Sequence, residues 1–398
     1  MHIDRHCLLV CCVILGGLLT EATASESAPR PWQVGWQQHI GFGYAPPAPV
    51  DAARVVVVGT EREGEQAFDR LSCVDPADGT VLWQRRDPVA LAAGKVARFP
   101  GHRSAPAVAD GRIMTVSHDG WLRSFTTAAG EMVWQRQLTD WGGAPPSWGY
   151  ATTPFVLGDT AFLHIGGEEG WTVAFAVADG SQRWRQAIGG AASHTRPVLW
   201  GDALIVVTAT EVVAQDPADG SVHWRAEWRT RGGNNSPRPL AIDDQHLLLS
   251  SAYRRSNGPS SRLYRIAVDG SAEIVWEHDQ LVMHTTQAVY QDGWLYGAGA
   301  RIDRDPVGIG CWQAIDGQQQ WLHPEINGTL VRTPVDTLLV LTLGGLLVEI
   351  AIDPQAWHEY HRLQVFEGDK SYGPPVPIGN DHAVIRTESG ELFGLRRQ

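Results

Sequence analysis

Lysine is nearly missing from this chain: Lys95 and Lys370 are the only two among its 32 basic residues, and no basic run occurs. Acidic residues number 44, for a formal net charge of −12. That balance excludes duplex nucleic acid as a partner, because cationic side chains must displace the counterions condensed on its phosphates. Long apolar runs are equally scarce. The only substantial one, Leu8 to Leu19, is too short to cross a bilayer as a helix. Cysteine is confined to five positions, and Cys7, Cys11 and Cys12 fall in or beside that first apolar segment. There is no Walker loop, no dinucleotide fingerprint and no nucleophile elbow, so the commonest phosphate-binding and serine-hydrolase chemistries have no local signature. No segment sustains helical periodicity over three turns. Tryptophan is the opposite case, with 17 residues against 9 phenylalanines.

The first residues read as an export signal. Arg5 precedes the apolar run, Thr20-Glu21 ends it, and Ala22-Thr23-Ala24 supplies the small residues that signal peptidase requires. Cleavage is expected before Ser25, which divides the chain into a signal peptide, 1–24, and one domain, 25–398. The mature protein is expected to be exported, periplasmic or secreted. Val10 before Cys11 departs from a lipobox, so a lipid anchor is the less favoured reading. No later stretch is apolar for long enough to span a membrane.

Eight tryptophans keep a rough beat: Trp36, Trp83, Trp134, Trp184, Trp224, Trp276, Trp321 and Trp357. Most follow a turn at a fixed offset, as in Asp78-Gly79 before Trp83 and Asp219-Gly220 before Trp224. Asp-Gly between apolar runs is a hairpin signal, because glycine accepts the positive φ where the chain reverses. Two strand-like runs precede each turn, and before them comes a short segment often containing proline (Pro106, Pro154, Pro197, Pro237, Pro334). Each unit therefore reads as a four-stranded antiparallel meander of about 40–50 residues, the size of a propeller blade. The termini complement each other. Pro374 to Arg396 supplies three strands without a final tryptophan, and Trp36 is a final-strand tryptophan without preceding strands. Joining them gives an all-β, single eight-bladed propeller whose ring is closed by the N- and C-terminal strands, with no open sheet edge. A monomer is expected.

These residues resemble the pyrroloquinoline-quinone (PQQ) repeat, Ala-x-Asp-x-x-x-Gly-x-x-x-Trp, which Ala214, Asp216, Gly220 and Trp224 match in full. Cys73, Ser124, Ala174 and Cys311 hold the small first position elsewhere, so Cys73 and Cys311 read as packing residues and not as a disulfide. The resemblance covers the whole mature chain. It implies a propeller, but the family mixes dehydrogenases with non-catalytic scaffolds. Its enzymatic branch has a vicinal cysteine pair and a calcium-held quinone; here the only such pair, Cys11-Cys12, lies in the signal peptide. The aspartate pairs at the turns (Asp75/Asp78, Asp216/Asp219) repeat from unit to unit and are read as turn caps, not calcium ligands. His358-Glu359-Tyr360-His361 lacks the spacing of a zinc motif. No catalytic residue, cofactor or metal is therefore predicted.

One constellation remains. Just before the innermost strands come His102, Arg103, Trp148, Tyr150, His194, Asn235, His284, Arg332 and Tyr372, positions that converge on a channel mouth. Such residues either bind a ligand or partner or merely line a wet channel. The leading expectation is a non-catalytic envelope scaffold for a protein partner. It is similar to the propeller lipoproteins of bacterial outer-membrane protein assembly. The alternative is a PQQ- and calcium-dependent dehydrogenase, or a small-molecule or carbohydrate-binding enzyme, that uses the channel mouth.

Overall fold

The computed structural model describes residues 28–253, 258–299 and 308–398. The expected signal peptide, 1–24, lies outside them. The fold is eight four-stranded antiparallel sheets, and almost nothing else. Blade one is Ala48–Asp51, Arg54–Glu63, Gln66–Val74 and Val81–Val89. Blade four is Val198–Trp200, Ala203–Val207, Glu211–Gln215 and Val222–Glu227. Blade seven, Gly328–Arg332, Thr337–Thr342, Leu346–Ala351 and Glu359–Gln364, is complete despite its divergent sequence. In blade eight, Val376–Ile378, His382–Arg386 and Glu391–Arg397 are joined by the N-terminal strand Trp32–His39. That strand pairs antiparallel with Glu391–Arg397 from Trp32↔Arg397 to His39↔Glu391, so the ends of the chain close the ring.

The core is not a central mass but a set of apolar layers between neighbouring sheets. Val56, Leu71, Ile113 and Phe125 fill the space between blades one and two; Ile205, Val212, Leu247 and Tyr264 do so between four and five. The two middle strands of each blade are buried on both faces and read as continuous apolar runs, whereas outermost strands alternate.

Five blades are latched to the next at the rim by an indole hydrogen bond. The Trp36 indole N–H donates to Pro76 O (2.9 Å) and Trp184 to Pro217 O (3.0 Å); Trp134, Trp276 and Trp321 donate likewise to the following blade's turn. The turn glycine is required twice over. Gly180 has φ +68, and a Cβ there would stand 2.7 Å from the Trp134 ring. The small residue of the repeat sits across from the tryptophan of its own blade, as Ala214↔Trp224 and Cys73↔Trp83. Both described cysteines are buried and free. The aspartates cap their turns: Asp216 and Asp219 accept from the Ala218 and Ser221 N–H groups at 2.7 and 2.8 Å.

Trp357 departs from the expected pattern. The register places His361, not Trp357, opposite the repeat position, which is Glu349. Without glycine after Asp353 the chain takes a longer path. Trp357 instead stacks on His323 at 4.2 Å, against blade six. Where the tryptophan latch fails, another joins blades seven and eight. Arg397 grips Glu349 through two bonds of 2.9 and 2.6 Å, with both side chains buried. Its guanidinium also lies 4.3 Å over Trp32.

Candidate functional site

Innermost strands run away from one face of the disc, so the connections between blades gather on that face, around the mouth of a central channel. The channel encloses about 920 Å³. Its wall is set by a simple rule: the chain approaching each innermost strand is already extended, so alternate side chains face inward. His194, Arg196 and Val198 show this in blade four, with Ser193, Thr195 and Pro197 buried between them. Ser236, Arg238 and Leu240 repeat it in blade five, and Tyr372, Pro374 and Val376 in blade eight.

That alternation sorts the residues singled out from the sequence. Arg103, Trp148, His194, His284 and Tyr372 line the channel near its mouth. His102, Tyr150 and Asn235 do not, and each has a structural task. His102, one residue out of step with Arg103, is buried and bonds through Nδ1 to Asp69 at 3.1 Å. Burial pushes the Asp69 carboxyl up, but His102 and the Thr60 hydroxyl outweigh it and hold Asp69 below the usual carboxylate range. Tyr150 is wholly buried and donates to Ile165 O at 2.9 Å. The Asn235 side chain is spent on Trp228 Nε1 (3.0 Å) and Thr208 O (2.9 Å). Arg332 reaches the channel from elsewhere. It ends the innermost strand of blade seven instead of preceding it, and pairs with Asp336 at 2.5 Å. The Thr333-Pro334 segment therefore belongs to the far turn of that blade, not to the mouth.

The channel wall has two characters. On one side Tyr44, Tyr372, His284 and Tyr253 form a row of ring contacts at 5.6, 6.4 and 5.4 Å, closed by a 3.1 Å bond between Tyr253 Oη and His284 Nε2. On the other stand Arg103, Arg196 and Arg238. Arg103 lies 4.9 Å over Tyr44 and donates to Gly101 O at 2.9 Å. Burial lowers the guanidinium of Arg196 to about 10, with Arg238 adding to the effect, and burial lowers Arg238 and Arg103 too. All three remain charged at neutral pH. Burial, with Arg103 nearby, pushes His194 down to about 4, so its ring is neutral there. Sequence reasoning missed Arg196, Arg238 and Tyr44; carrying the two-residue alternation back from each strand would have found them.

A calcium-held quinone does not fit this wall. The cation would need carboxylate oxygens, yet no described lining residue is Asp or Glu, and four are arginine. Among the described residues no group of three or more His, Cys, Asp or Glu could hold a metal ion. No described helix is long and apolar enough to cross a membrane.

On the mouth face, beside the channel, Phe42, Leu91 and Phe99 are 46%, 44% and 45% exposed. They come from the two connections flanking blade one, held together by a bridge between Gly43 and His102. Phe99 rests on Trp148 at 5.5 Å. On this same face the segment Thr60 to Asp69 is a strand hairpin that extends blade one.

Comparison with known proteins places the fold. The structure of BamB from Moraxella catarrhalis matches with a TM-score of 0.60 at 13% identity, covering 92% of this chain and 97% of that one. A europium-containing methanol dehydrogenase matches with 0.66 at 12% identity, covering 92% and 93%. At such identities the likeness is one of fold alone. The outer membrane protein assembly factor BamB of Escherichia coli K12 is 22% identical over 209 residues, which span 50% of this chain and 46% of that protein. A family model described as outer membrane protein assembly factor BamB matches residues 22–196 and 168–323. Matched over most of its length, the chain belongs to the family of outer membrane protein assembly factor BamB.

Proposed function

We propose that this protein is an exported, non-catalytic scaffold of the cell envelope that docks a protein partner on its mouth face, in a role related to outer-membrane protein assembly. The observation that carries the reading is the exposure of three large apolar side chains, Phe42, Leu91 and Phe99, on the connections that flank blade one. Large apolar side chains left exposed on one face mark an interaction surface, and blade-to-blade connections are free to vary without disturbing the sheets beneath. Family membership and the curated relative's name support the envelope setting.

The test is site-specific photo-cross-linking in an expressing bacterium, with the probe at Phe99 or at the outer-strand control Arg183, after fractionation has located the full chain. A discrete adduct at Phe99, lost in Leu91→Asp and absent at Arg183, is expected. A cytoplasmic location, or no adduct beyond that at Arg183, refutes the reading.

A further inference from the structure

Arg196 and Arg238 occupy the same repeat position in adjacent blades, each immediately before a proline that leads into the innermost strand (Pro197, Pro239). Other blades place Ala105, Thr153, Gln287 and Pro374 there. Folding therefore does not call for arginine at this position. Many arginines are matched with acids, as in Arg54–Asp51, Arg183–Asp159 and Arg397–Glu349, and so is Arg332 at the channel, with Asp336. Arg196 and Arg238 are not. No described carboxylate acts on Arg196 or Arg238, and the Arg196 Nε is buried with no hydrogen-bond partner among the described residues. Arg103 stands one layer nearer the mouth, beside His194. A chain of net charge −12 thus lines one wall of this channel with like positive charges and no described acid.

We propose that this wall is a binding site for a small polyvalent oxyanion, a compound bearing two or more carboxylate or phosphate groups. Arg196 and Arg238 form the clamp and Arg103 guards the entrance. Guanidinium forks match carboxylate and phosphate oxygens in pairs. Low-dielectric channel walls focus the field of the three charges on whatever enters. An anion would relieve the repulsion between neighbouring arginines and satisfy the Arg196 Nε. The cavity volume is that of a small-molecule pocket, not of a groove for a polymer.

The test is isothermal titration of the full chain at low ionic strength, with citrate and pyrophosphate as probes and sorbitol as the uncharged control. Saturable, salt-sensitive binding of citrate, pyrophosphate or both is expected, and which of them binds identifies the carboxylate or phosphate class. The Arg196→Gln/Arg238→Gln variant should bind at least about tenfold more weakly. Arg183→Gln, on an exposed outer strand, should bind normally. The proposal is overturned if neither probe gives saturable heat, or if the double variant binds as well as the parent. Should the double variant fail to fold, thermal protection of the unmodified protein decides: protection by either probe, absent with sodium chloride at equal ionic strength, supports the site, and its absence refutes it. Arg196 and Arg238 lie deeper in the channel than Phe99, which borders Arg103 at the entrance, and titration and cross-linking read the two separately, so either proposal can fail alone.

Discussion

The rim of the disc and the wall of its channel are built by opposite logics. At the rim, the same indole meets the same turn from blade to blade: Trp36 on Gly79, Trp134 on Gly180, Trp184 on Gly220. At the channel, one aligned position holds Pro46, Ala105, Thr153, Arg196, Arg238, Gln287 and Pro374. Every blade must hold its neighbour, and every blade faces that problem in the same geometry, so one solution repeats. The channel wall bears no such load. Its side chains are free to differ, and what is particular to this protein collects there. Blades seven and eight sharpen the contrast: where the tryptophan is lost, the buried pair Glu349–Arg397 takes over the latch.

Removing that substitute latch should have the largest effect. Glu349→Ala leaves the buried Arg397 uncompensated and is expected to cost about 3–5 kcal/mol, read as a lower urea midpoint. Replacing both partners with apolar residues of like volume should restore most of it. A repeated latch comes next. Gly180→Ala forces a side chain into a left-handed backbone and against the Trp134 ring, for about 1–3 kcal/mol and a shift in tryptophan emission.

Acid should weaken the fold by a comparable total. Burial pushes His164 down to about 4, well below its unfolded value of about 6.5. As pH falls through that window the unfolded chain takes up a proton that the folded chain refuses. Stability is therefore lost on acidification, by at most about 1.4 kcal/mol per pH unit for this group. His164→Gln should flatten that part of the profile. Trp184→Phe keeps an aromatic side chain but gives up the bond to Pro217 O and part of the indole packing, for about 1–2 kcal/mol. Arg238→Gln should be the mildest, within about 0.5 kcal/mol, because nothing in the fold leans on it. A large loss of stability there would make the channel arginines part of the frame and erase the comparison.

Much of the frame was legible in the residues. The Asp-Gly turns, the tryptophan beat and the complementary termini gave the blade count and the closure, because a repeat states its geometry many times over. Reading failed where the repeat was irregular. Trp357 kept the spacing but lost its turn glycine, and Thr333-Pro334 imitated a mouth segment at the wrong end of a blade. The site was legible by neighbourhood but not by direction. His102, Tyr150 and Asn235 lie beside channel residues, yet a shift of one along an extended chain turns a side chain from the opening into the wall. The number of blades, the way each one turns and the closing of the ring follow from local backbone preference and periodic burial, and so can be read along the chain. Which charges meet is settled by packing around the ring axis. Arg196 and Arg238 become neighbours, with no described acid between them, because two consecutive blades present the same position to one shared axis.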